Sequence, residues 1–236
     1  YNENISDPQA TDNKTELTAA KQLDGISSVV DGFYADRAAC YNMLRKDINK
    51  CGIRILRADE LTPRQSEECK EIFISHIMPL LSLMVLDAKH PLMQFENMKN
   101  YMVYDLERDG RRMIGVMAFN SALDRLYKVG TGKKVRLIPL EELVRAFGHL
   151  AFIGYTVKDE MMMRVTRNAD FDTHIDDTDM EHDFSEIMKK KVESRARLNV
   201  VRLEVDNENS KLKDFVLKLL KISPKFCFKD ERFFDY

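Results

Sequence analysis

From Leu23 onward, apolar side chains recur at intervals of three and four: Leu23, Ile26, Val30, Phe33, Tyr41, Leu44 and Ile48, with Arg37 interrupting the stripe. That spacing keeps them on one face of an α-helix. Thr18 stands where an N-cap belongs, and Gly52 stops the pattern. A helix of this length with one apolar face needs a surface to cover it, from the next domain or from another subunit. Residues 1–13, which precede it, are polar, include Pro8 and hold too little apolar surface to offset the entropy of ordering, so a linker is expected there.

Downstream the period changes several times. Residues 53–56 form a short extended piece, and Leu61-Thr62-Pro63-Arg64-Gln65 spells out a helix start: Thr62 as cap, Pro63 as first helical residue, Gln65 closing a capping box. This helix presents Cys69, Ile72, Phe73, Ile77 and Leu80 on one face, and Pro79 must end or kink it. Residues 80–86 are apolar enough to expect burial. Alternation of period two begins at Tyr101, and Asp109-Gly110 is a strong hairpin signal, so residues 101–108 and 111–119 are expected to pair. A third strand over 135–138 runs into Pro139, which suits the first turn of a helix through Leu143, Phe147 and Leu150. A fourth strand is expected over 161–166, a helix over 179–197 that is acidic at its start and basic at its end, a strand over 200–205 and a final helix over 210–222. Strands and helices mix without regular βαβ alternation. The expected class is α+β: a mainly antiparallel sheet packed with amphipathic helices and preceded by a long N-terminal helix.

Composition narrows the functional classes. The 236 residues are 44% hydrophobic, enough for a sizeable core, and 37 Lys plus Arg stand against 39 Asp plus Glu. The formal charge of -2 gives no global field for a polyanion, so any basic site must be local. Cys40, Cys51, Cys69 and Cys227 fall in separate segments without the close pairs of a zinc site and read as reduced cytosolic thiols. No apolar run reaches the ~20 residues of a membrane span. Tyr1 in place of Met suggests a piece of a longer protein.

Three constellations carry chemical potential. His174-Ile175-Asp176-Asp177-Thr178-Asp179-Met180-Glu181-His182-Asp183 offers metal-ligand types, but its histidines are eight apart, not four, and acidic residues at a helix start are accounted for by the macrodipole. Arg164-Val165-Thr166-Arg167-Asn168-Ala169-Asp170 places forked donors at a strand end, where they could grip phosphate. Strand alternation sends Arg164 and Thr166 to one face and Arg167 to the other, and pairing of an arginine with an acid such as Glu204 competes with a ligand role. The basic sets Lys133, Lys134 and Arg136, and Lys189, Lys190, Lys191, Arg195 and Arg197, could attract a polyanion or simply form solvated ends. Gly130-Thr131-Gly132-Lys133-Lys134 is too short for a Walker-type phosphate loop and precedes a strand, where a turn explains it. No nucleophile elbow and no zinc-protease helix is present. No self-contained catalytic or metal site can be assembled from these residues.

Several stretches, in order, resemble the middle, or head, domain of bacterial ATP-dependent polyphosphate kinases of the phosphohistidine type. They are Asp12-Asn13-Lys14-Thr15 with Leu17-Thr18-Ala19-Ala20-Lys21-Gln22-Leu23, Gly52-Ile53-Arg54-Ile55-Leu56 with Asp59-Glu60-Leu61-Thr62, and Pro79-Leu80-Leu81-Ser82 before His90-Pro91. Most specific are Arg164 to Asp170 and, downstream, Val201-Arg202-Leu203-Glu204-Val205. Leu92-Met93-Gln94-Phe95 and Met161-Met162-Met163 depart from the family's aromatic pattern. The resemblance implies a linker over 1–13, the middle domain over 14–223, and over 224–236 the start of a linker to catalytic domains. It implies a parent enzyme that transfers the terminal phosphoryl group of ATP to inorganic polyphosphate through a phosphohistidine, with magnesium, in the cytoplasm, as a homo-oligomer. This part would serve oligomerisation and framing of the active site, be inactive alone, and bind neither cofactor nor metal itself. None of His76, His90, His149, His174 or His182 is expected to be the nucleophile. Arg164, Thr166, Arg167, Asn168 and Arg202 are the candidate contacts for polyphosphate or for structural partners. Neither a nucleic-acid partner nor a membrane span is expected, and the alternative is a free-standing polyanion-binding or dimerisation module without catalysis.

Overall fold

The computed structural model of the chain describes residues 11–86, 95–131, 134–167, 200–208 and 210–230. They form two compact units, residues 1–47 and 48–236. The first is dominated by α1, Ala19–Lys50. Thr18 caps it, its hydroxyl accepting from the Lys21 amide at 3.4 Å. No residue of α1 is buried, and Ile26, Val29, Phe33, Met43 and Leu44 are all exposed.

The second unit contains two sheets. Strands β1 (Ile53–Ile55), β5 (Leu126–Lys128) and β6 (Val135–Pro139) make a small sheet in the order β1-β6-β5, with β1 parallel to β6. The larger sheet has the order β2-β4-β3-β7-β8-β9, built from β2 (Ser82–Leu86), β3 (Asn100–Arg108), β4 (Arg111–Ala118), β7 (Thr156–Arg167), β8 (Val200–Val205) and β9 (Cys227–Lys229). Its pairs are antiparallel except β8 with β9. Asp109 and Gly110 both take positive φ, the conformation a two-residue hairpin turn requires, and join β3 to β4 as expected.

Both faces of this sheet are covered, which is why β3 is buried along most of its length. Met102, Tyr104 and Leu106 join Cys69, Phe73, Leu143 and Phe147 on one side; these come from α2 (Pro63–Ile72), the turn after it, and α3 (Leu140–Phe147). Tyr101 and Val103 point the other way, into a second core with Leu212, Val216 and Leu217 of α4 (Lys211–Leu220). The capping box at α2 forms as the sequence specifies: Thr62 Oγ1 accepts from the Gln65 amide and Gln65 Oε1 from the Thr62 amide. Ahead of Pro79 the backbone loosens into a π turn, Phe73–Ile77, then a 3-10 turn, Met78–Leu80. A proline there can neither donate nor tolerate the carbonyl four residues back.

Several expectations need correction. Residues 80–86 are buried only at Leu81: they lead into the outer strand β2, and Leu80, Leu83 and Met84 are each more than 40% exposed. Composition cannot distinguish a buried strand from an apolar edge. Leu80 accordingly leaves the face it was expected to share with Cys69 and Phe73. Pro139 closes β6 and caps α3 instead of opening it, and Leu150 falls in a separate 3-10 turn. β7 starts at Thr156, five residues before the expected 161. The packed body does not stop at residue 223, because β9 pairs with β8 and the Asp230 amide bonds to the Val205 carbonyl. The helix expected over 179–197 lies outside the described residues.

Candidate functional site

The strand pair β7–β8 carries the residues singled out as phosphate contacts. Register sets Arg164 opposite Glu204 and Thr166 opposite Arg202. Arg164 is buried and forms a fork with Glu204, Nε to Oε2 at 2.7 Å and Nη2 to Oε1 at 3.1 Å, with Asp230 Oδ2 3.6 Å from the same guanidinium. Arg202 Nε donates to Thr166 Oγ1 at 3.2 Å. Arg167 emerges on the opposite face, where its amide donates to Asn97 Oδ1 and its Nε to the Phe95 carbonyl, both at 2.8 Å. Burial lowers its pKa, with Tyr101 opposing. The two arginines therefore do not converge, as strand alternation requires. Asn168 and the acidic and basic segments around His174, His182, Lys189, Lys190, Lys191, Arg195 and Arg197 lie outside the described residues, as does Lys133.

A second group, absent from the sequence reading, lies between the sheet and α3. Arg145 pairs with Asp206 at 2.5 Å, and the other oxygen of Asp206 accepts from the Met162 amide at 2.9 Å. Burial raises the pKa of Asp206 despite the attraction of Arg145. Glu160 is pushed up to about 7, by burial first and then by Asp206 and Asp159, with Arg145 pulling the other way. Burial opposes charge on Arg145, but Asp206, Glu142 and Glu160 outweigh it and raise its pKa. Arg125 and Asn100 both bond Glu141 of α3. Across the sheet Arg112 grips Asp105 through two short bonds, and Ser210 Oγ donates to Asp159 Oδ2 at 2.6 Å. Apart from Arg112–Asp105, seven residues apart across a hairpin, and Arg125–Glu141, these contacts span 41 to 61 residues in sequence, so no local pattern signals them.

Among the described residues the remaining nucleophile types are not assembled into a catalytic set. Ser75 Oγ lies 2.7 Å from His76 Nδ1 but donates its own proton to the Glu71 carbonyl, so the imidazole does not act as its base. His76 and His149 are exposed on turns. Cys69 and Cys227 are pushed up to about 11, mainly by burial, which keeps them as thiols. Among the described residues no group of three or more His, Cys, Asp or Glu could hold a metal ion. No helix of the described residues is long and apolar enough to cross a membrane.

Comparison with known proteins gives one consistent answer. A family described as the polyphosphate kinase middle domain matches residues 64–235. A polyphosphate kinase from Bacillus cereus is 30% identical over 217 residues, covering 89% of this chain and 30% of that protein. One from Staphylococcus saprophyticus is 28% identical over 209 residues, covering 87% of this chain and 28% of that protein. The chain therefore spans less than a third of the length of these curated relatives. A crystal structure of polyphosphate kinase from Porphyromonas gingivalis shares the fold with a TM-score of 0.58 at 16% identity, over 88% of this chain and 34% of that one.

Proposed function

The chain belongs to the polyphosphate kinase middle-domain family, and from that premise we propose that it is the scaffolding part of a larger cytoplasmic kinase that moves the terminal phosphoryl group of ATP onto inorganic polyphosphate. In this reading the parent enzyme binds ATP, ADP, magnesium and polyphosphate through domains outside this chain. The middle domain frames the active site, joins subunits of a homo-oligomer and is inert when alone. The observation that carries the reading is the fate of Arg164: the side chain best placed by sequence to grip phosphate is buried between Glu204 and Asp230. Arg145, Arg125 and Arg112 likewise face acidic partners. A cation already neutralised within the fold has little attraction left for a polyanion.

The test is to supply the isolated chain with ATP and magnesium and assay polyphosphate. None should form; measurable synthesis would overturn the placement of the chemistry elsewhere. The oligomeric part rests on the exposed apolar residues of α1, Ile26, Val29, Phe33, Met43 and Leu44. Light scattering across concentrations should show self-association that weakens in Phe33→Asp, and a strict monomer at high concentration contradicts it.

A further inference from the structure

A groove of about 670 Å³ lies where α2 meets the turn before β6, lined by Thr62, Arg64, Glu68, Glu71, Thr131 and Arg136 among others. It is large enough for a small-molecule ligand. Its floor is fixed: Glu68 Oε1 accepts the Gly130 amide at 2.8 Å, and Gly130 takes a positive φ of 78° that holds the turn against the helix. The helix start itself is already satisfied by Thr62 and Gln65, so it is not what a ligand would meet. The guanidinium groups are. Arg136 stands in register with Arg54 on the adjacent parallel strand, two like charges side by side, a juxtaposition that destabilises a sheet unless something neutralises it. Among the described residues Arg54, Arg64 and Arg136 have no ion-pair partner. This differs from Arg164 and Arg112 of the large sheet, from Arg145 of α3 and from Arg125 before β5, all of which are paired with acids.

The carboxylates of the groove limit what can enter. Glu68 is held by the Gly130 amide and Glu67 lies 3.8 Å from Lys70, while Glu71 shares the lining. A long polyanion laid along the groove would bring its charges against these acids. A single tetrahedral oxyanion between the arginines would not. We propose that this groove binds one compact phosphate-class oxyanion through Arg136 and Arg64, with the Thr131 hydroxyl as a further donor, and that it disfavours extended polyphosphate. The shared chemistry fits inorganic phosphate and the phosphomonoester end of a small metabolite alike. The site is separate from the phosphoryl-transfer chemistry assigned to other domains, so its failure would leave the scaffolding role untouched.

Calorimetric titration of the 236-residue chain with sodium phosphate, against sodium chloride at matched ionic strength, tests this. Saturable binding to phosphate and none to chloride is expected. Loss of one charge-assisted fork in Arg136→Gln or Arg64→Gln should weaken it about tenfold or more, with an unchanged circular dichroism spectrum and with Lys158→Gln binding like the parent. Arg64 is exposed, so its variant reports on binding even if Arg136→Gln folds poorly. Glycerol phosphate binding more tightly than inorganic phosphate would assign the site to a phosphomonoester, and the reverse to free phosphate. Absence of saturable phosphate binding, indifference to both substitutions, or tighter binding of tripolyphosphate through the same arginines would each overturn the proposal.

Discussion

Two arginines of the second unit, one in each sheet, are treated in opposite ways. In the six-stranded sheet Arg164 is buried with Glu204 and Asp230, and beside that sheet Arg145 of α3 pairs with Asp206. In the three-stranded sheet Arg136 lies beside Arg54, and neither forms an ion pair among the described residues. The difference teaches where to look for function in a chain with near-balanced charge. A buried guanidinium must bring its counter-charge with it, because desolvation is otherwise prohibitive. One at a groove can leave that role to a ligand. Arg164, the arginine most suggestive in sequence, is thus engaged within the fold, while the less conspicuous Arg136 and Arg64 are the ones proposed for binding.

The contrast can be broken most severely at Arg164. Arg164→Ala strips the cation from Glu204 and Asp230, whose side chains are each only 2% exposed, and should cost ~3–5 kcal/mol in urea denaturation. A loss below ~1 kcal/mol, the range of exposed pairs, would mean that Arg164 is not structural. Next comes the packing beside α3. A Cβ at Gly148 would overlap the Tyr104 hydroxyl, so Gly148→Ala should cost ~1–3 kcal/mol. The hydroxyl has no hydrogen-bond partner among the described residues, so Tyr104→Phe should restore most of the loss and cost little alone.

Proton linkage sharpens the picture further. Glu160 titrates at about 7 in the folded chain against 4.5 when unfolded, so the folded state binds more protons between those values. The contribution of Glu160 to stability should be full below pH 4.5, fall as pH rises toward 7 and level off above it. Asp206, also raised by burial, slopes the same way. Thermal melts of Glu160→Gln should lose most of the decline between pH 5 and 7; an unchanged slope would remove Glu160 as its source. The smallest effect belongs to the small sheet: in phosphate-free buffer Arg136→Gln should shift stability by no more than ~0.5 kcal/mol, as surface changes usually do, and toward higher stability, since it relieves the contact with Arg54.

Much of this was legible in the chain. Thr62, Pro63 and Gln65 wrote a capping box that forms, Asp109-Gly110 wrote a hairpin that forms, and strand alternation placed Arg164 and Arg167 on opposite faces. Local rules sufficed because each contact involves neighbours or a simple period. The edge position of β2 was not legible, since Leu83 and Met84 would read the same in a buried strand. Neither were the parallel pairings of β1 with β6 and β8 with β9, nor the union of Arg145 with Asp206 across 61 residues. Those depend on how separate elements meet, which propensity and period do not encode. For the candidate groove, sequence offered Arg136 as one of a basic cluster and Arg64 as part of a helix start, with nothing to join them.

The central claim is that the charges of the large sheet are spent on the fold. An NMR spectrum of the arginine Nε–H groups, recorded while tripolyphosphate is titrated into the chain, tests it directly. The account predicts that the Arg164 signal is protected from solvent exchange and that the Arg164 and Arg145 signals both stay in place to saturation. Movement of the Arg164 signal with added tripolyphosphate, or its rapid exchange in the free chain, would contradict it.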